Sequence, residues 1–143
     1  MTPEVVDTPK RRIAKPIGLY IITVFDFVAV GLVPLLSVVV VARRSDVDLP
    51  FVAVLVSVAL SILVMAASVW AWVGDNAGRW LLLVLVSVSS LLLILNNALL
   101  ISDDSGTNAI SNVGWIVRAT FWIAINWWYF NRRHVVAYFK QNR

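Results

Sequence analysis

Apolar residues fall along this chain in four long unbroken runs, at about residues 17–41, 49–73, 80–101 and 112–130. Each run is close to the ~20 helical residues, rising ~1.5 Å each, that cross the ~30 Å hydrocarbon layer of a membrane. Valine is frequent, with VVVV at Val38 to Val41, and that favours strands. Membrane strands, however, alternate over about 10 residues and need many partners, whereas these runs are continuous and much longer. The pattern therefore predicts an all-α fold, a four-transmembrane-helix bundle over residues 17–130. A tail at 1–16 precedes it and a tail at 131–143 follows.

Helix punctuation supports the division. Asp48 is placed to cap the second helix, with Pro50 in its first turn; Gly74 is placed to end that helix, and Ser111 or Asn112 to cap the fourth. The connection GDNAGR (74–79) is short, so helices two and three are expected to be adjacent and antiparallel. The connection SDDSGTNAISN (102–112) is longer, and its Asp103 and Asp104 read as a solvated acidic pair rather than a cation site.

Basic residues orient the bundle. Lys10, Arg11, Arg12 and Lys15 precede the first run, Arg79 lies in the second connection, and Arg132, Arg133, Lys140 and Arg143 follow the fourth run. Only Arg43, Arg44 and Arg118 fall towards the other side, so both termini are expected to be cytoplasmic. Tyr20, Trp70, Trp72, Trp80, Trp127, Trp128 and Tyr129 gather at the same interface, with Trp115 at the opposite one. The first run is about twice the length of a signal-peptide core and is expected to remain in the mature protein.

Composition agrees with a multi-pass protein of the cell membrane: 60% hydrophobic and 14% charged residues, with a mean hydropathy of +0.85. With no cysteine and a single histidine, His134, the chain has neither disulfides nor thiolate or multi-histidine metal sites. The net charge of +4 comes from residues beside apolar runs, where anionic lipid headgroups are the expected partner rather than nucleic acid.

Polar residues within the runs form faces. The first helix places Thr23, Asp26, Val30 and Ser37 near one stripe, and the second carries Ala53, Ser57 and Ser61 at a spacing that admits a close neighbour. The third aligns Ser87, Ser90 and Asn97, with Asn96 beside them; the fourth aligns Arg118, Trp122, Asn126 and Tyr129. Asp26 lies roughly 13 Å into the membrane by helical rise, where a charged carboxylate costs about 3 kcal/mol. It is therefore expected to face inward, near Ser61, Ser87, Ser90, Asn97 and Asn126, and to be protonated or paired. If helices one and four are neighbours, the long side chain of Arg118 can reach down to pair with it. Pro34 is expected to kink the first helix and free a carbonyl near Val30.

After the fourth run, NRRHVVAYFKQNR places Val135, Val136 and Phe139 on one face, with Arg132, Arg133 and Lys140 around them. This predicts an interfacial amphipathic helix whose cations meet lipid headgroups. The N-terminal residues, with Pro3, Pro9 and Pro16 among basic residues, read as a disordered tether.

The entry RIAKPIGLYIITVFDF, the GRWLLL of the third run and the close WWYFNRRHVVAYF resemble those of small prokaryotic four-span integral membrane proteins to which no activity is assigned. The resemblance covers nearly the whole chain and implies topology without catalytic residues. No Ser/His/acid set, glycine-rich phosphate loop or cofactor motif occurs, so no enzyme, cofactor or metal is expected. The expected role is association, as a subunit or scaffold of a membrane complex or as a self-oligomer. The alternative is a small proton- or cation-conducting bundle centred on Asp26.

Overall fold

The computed structural model describes residues 14–43, 51–102 and 109–141. Among them the chain is helical apart from short turns. The first membrane-length segment comprises α1 (Ile17–Phe25), a π-helical stretch (Asp26–Leu32) and α2 (Val33–Ala42). It is followed by α3 (Phe51–Val73), α4 (Asn76–Ser102), α5 (Ala109–Phe130) and α6 (Arg133–Gln141).

The π-helical stretch has a local cause. Pro34 has no N–H to offer Val30, and its ring would collide with that carbonyl in an α-helix. The backbone widens just before it, and the Val33 N–H bonds Val28 O, five residues back. The expected disturbance at Pro34 is thus a change of register. The wider turns shift the phase of everything beyond them: Thr23 and Asp26 are buried, whereas Ser37 is exposed and donates to Val33 O of its own helix at 2.8 Å.

The turn between α3 and α4 is tighter than expected. Gly74 ends α3 with φ of 96°, a left-handed conformation that glycine adopts without strain. Asp75 then caps α4, its Oδ1 accepting from the Ala77 N–H at 2.7 Å. α4 therefore begins at Asn76, one turn before the expected Trp80, because the apolar run marks the membrane boundary and not the helix start. α5 likewise begins at Ala109, so Ser111 and Asn112 lie inside it and do not cap it. Asp48, Pro50, Asp103, Asp104 and most of the N-terminal tail lie outside the described residues.

Among the described residues three segments are long and apolar enough to cross a membrane: Ile17–Val41, Phe51–Val73 and Asn76–Ile101. α5 is long enough, but Asn112, Arg118, Asn126 and its tryptophans dilute its hydropathy.

The α3–α4 turn, the start of α1, the end of α5 and α6 share one end of the bundle, the near end. There Tyr20 packs edge-on against Trp72 at 4.7 Å between ring centres, and the Lys15 ammonium donates to Trp72 O while lying over both rings. Partial burial lowers the Lys15 pKa from its ordinary value. The apolar core is concentrated in this half, formed by Leu19, Ile22, Val64, Ala67, Leu82, Leu83, Val86 and Phe130, among others. The far half differs. Among the described residues no apolar side chain is buried in α2, in α3 before Ser61, in α4 beyond Ser90, or in α5 before Asn126.

Glycines set the closest helix contacts. A Cβ on Gly78 would lie 2.7 Å from the backbone of Trp70 and Ala71, which shows how closely α4 rides on α3. A Cβ on Gly31 would meet Met65 Cγ at 2.5 Å and Ser61 O at 3.3 Å. Of the expected small-residue stripe on α3, Ser61 is buried at this contact, Ser57 is half-buried and Ala53 is exposed. The packed face of α3 continues instead through Val64, Ala67, Ser68 and Ala71.

Candidate functional site

Where the π-helical stretch begins, the first segment and α5 meet around one buried carboxyl. Asp26 has no solvent exposure and Asn126 has 1%. Asp26 Oδ1 accepts from the Trp122 indole N–H at 2.8 Å and from Asn126 Nδ2 at 3.4 Å. The same Asn126 amide donates to Trp122 O at 3.2 Å, and the Phe25 ring lies 4.1 Å from that of Trp122, closing the layer. Trp122 and Asn126 are four residues apart on α5, so one helical face presents both donors to one oxygen.

The other atoms of the site are not satisfied. Asp26 Oδ2 and Asn126 Oδ1 are buried and have no hydrogen-bond partner among the described residues. Two buried acceptor oxygens left without donors cost on the order of 1–3 kcal/mol each, and such groups in a native fold call for an explanation.

The expected pair between Asp26 and Arg118 is not formed. Arg118 is exposed and stacks over the Trp115 ring, 5.3 Å from its centre. It stands one turn beyond Trp122, and its side chain turns towards its own helix, where an aromatic face receives the cation. The neutral donors Trp122 and Asn126 take its place at Asp26.

The remaining polar residues mostly bond within their own helices. Ser87 donates to Leu83 O at 2.7 Å and accepts from the Trp127 indole at 2.9 Å, which ties α4 to α5. Asn97 is buried and donates to Leu93 O at 2.8 Å, whereas Asn96 is exposed. Ser61 and Ser90 are both buried. Of the residues expected around Asp26, Asn126 touches it directly; Ser87 and Asn97 serve other contacts.

A second buried cluster lies at the near end. Arg79, only 4% exposed, donates from Nη1 to Phe130 O at 3.3 Å, the last carbonyl of α5, and its guanidinium lies over Trp80 and Phe139. A cation at a helix C-terminus is favoured by the helix dipole. α6 folds down on this group, burying Val135, Tyr138 and Phe139 against the bundle, while Val136 is half-buried. The expected amphipathic helix is present, but its apolar face is covered by protein. Arg132, Arg133 and Lys140 are exposed, Arg132 stacking 3.7 Å from the Trp128 ring centre.

Sequence reasoning did not single out Trp122 as a partner of Asp26. A signal was present: Trp122 is the one tryptophan far from both expected interfaces, and a buried indole N–H seeks an acceptor. Among the described residues no group of three or more His, Cys, Asp or Glu side chains is placed to hold a metal ion. No protein-family model, curated protein or solved structure matches the chain.

Proposed function

We propose that this protein is a non-catalytic integral membrane protein of the cell membrane, with four spans and both termini cytoplasmic, that works by association with another membrane protein or with itself. The observation that carries this reading is the uneven core. The near half buries apolar residues from α1, α3, α4, α5 and α6, whereas among the described residues the far half buries none along α2 and most of α5. In lipid, helices associate through close packing and hydrogen bonds, so a bundle whose far half lacks that packing is suited to receive a further helix there.

The far half of α5 has the matching chemistry. Arg118 is exposed on it, and such a side chain facing hydrocarbon costs about 3 kcal/mol. A Cβ on Gly114 would meet nothing within 4 Å, which leaves a notch for a neighbouring backbone. The native chain has no cysteine, so single cysteines report on this face cleanly. Gly114→Cys should cross-link in native membranes, to a second copy or to a partner that co-purifies stoichiometrically in mild detergent. Val69→Cys, exposed in the near half, should not. A lone monomer by native mass, with no cross-link from Gly114→Cys or from Leu36→Cys, would overturn the proposal.

A second reading, passage of a proton or cation through the bundle, draws support from the unpaired oxygens at Asp26 and Asn126. Flux into proteoliposomes of the pure protein, lost in Asp26→Asn, is its test.

A further inference from the structure

We propose that Asp26 and Asn126 form an exchangeable proton-binding site. The proposal stands on the geometry around Asp26 and holds whether or not a proton crosses the membrane.

The two oxygens of Asp26 are in different situations. Oδ1 takes both available donors, Trp122 Nε1 and Asn126 Nδ2, while Oδ2 has none, and the Asn126 oxygen has none either. One proton answers both deficits. Bound to Oδ2, it removes one unpaired acceptor and turns that oxygen into a donor in a site where the Asn126 amide oxygen has none. The step forms an O–H bond and breaks none within the protein, the proton coming from water and returning to it.

A metal ion fits less well. Hard cations take about six oxygen ligands, but the two N–H groups aimed at Oδ1 leave only Oδ2 and the Asn126 oxygen free at the carboxyl. Among the described residues no titratable or charged group shares the layer with Asp26. The buried polar residues nearest in depth are Ser61 and Ser68 on α3 and Ser90 on α4, all uncharged, and α5 meets the carboxyl with Trp122 and Asn126. Arg118 is turned away onto Trp115, and Lys15 and Arg79 are at the near end. The π-helical register starts at Asp26 itself, and such local departures from the α-helix recur at functional sites.

The test uses the full chain in proteoliposomes and a hydrophobic carbodiimide, which adds to a protonated buried carboxyl to form an O-acylisourea and leaves a carboxylate unreacted. Labelling mapped to Asp26 by mass spectrometry should be strong at acidic pH, fall as pH rises, and be absent in Asp26→Asn. Tryptophan fluorescence should change over the same pH range in the native chain, and the change should be lost both in Trp122→Phe, which identifies its source among the seven tryptophans, and in Asp26→Asn, whose amide keeps the shape and supplies a permanent donor. Trp122→Phe removes a donor that favours the charged form, so its labelling should persist to higher pH, an effect that a purely structural carboxyl would not show. Labelling absent at every pH, or present and independent of pH, would overturn the proposal. Protection by sodium at constant pH would also overturn it, in favour of a metal cation. Loss of flux without loss of labelling would count only against passage.

Discussion

At the scale of single residues, Asp26 shows how depth is easier to read than pairing. Its distance along a helix long and apolar enough to cross a membrane predicts burial, and it is fully buried. Its partner follows from side-chain direction, which depends on how α5 is rotated against the first segment. Arg118 was the sequence's candidate because a full charge is the strongest match on paper; in the fold it stacks on Trp115, and Trp122 and Asn126 meet the carboxyl. A double-mutant cycle separates the two arrangements. Asp26→Asn and Arg118→Gln should be additive in detergent unfolding to within about 0.5 kcal/mol, as for sites that share no partner. A rescue of several kcal/mol in the double variant would instead demonstrate a direct ion pair.

At the scale of elements, two glycines mark the closest approaches between helices, and among the described residues one buried cation, Arg79, bridges α4, α5 and α6. Gly78 sits where its own Cβ would strike the α3 backbone at 2.7 Å, and no rotamer change relieves a clash with main-chain atoms. Gly78→Ala should therefore separate α3 from α4 and cost about 1–3 kcal/mol in thermal unfolding. Gly31→Ala meets first a flexible methionine side chain and should cost less. Arg79 links three elements, bonding the last carbonyl of α5 and lying under Phe139 of α6. Arg79→Gln should loosen α6 while leaving the α3–α4 hairpin in place, seen as faster tryptic cleavage after Arg133 and Lys140. Equal cleavage rates in variant and native chain would show that the apolar face of α6 docks without the arginine.

At the scale of the whole molecule, charge and core tell one story. Of the basic residues assigned to the cytoplasmic side, the described ones, Lys15, Arg79, Arg132, Arg133 and Lys140, lie at the near end, which also carries the closed core and α6. A reporter active only outside the cytoplasm should stay silent when fused after Arg143, and activity there would invert the proposed topology. In the proposed topology the well-packed half faces the cytoplasm, and the loosely packed half, with Arg118 and Gly114 exposed, faces outward with the surface proposed for association.

The sequence by itself determined the helices, their order and the burial of Asp26, because hydrocarbon imposes a length and a polarity that can be counted residue by residue. It also marked Gly74 as the end of α3 and Pro34 as a break in the helical ladder, since both effects are confined to the neighbouring backbone. The tertiary structure decided what the pattern left open. A π-helical register before Pro34 moved Ser37 off the stripe of Thr23 and Asp26, which a uniform helical period cannot express. Helix rotation gave Asp26 to Trp122 and Asn126, and the docking of α6 turned the face of Val135 and Phe139 from lipid to protein. These outcomes depend on the mutual rotation and approach of helices distant in sequence, which no single helix's hydropathy encodes.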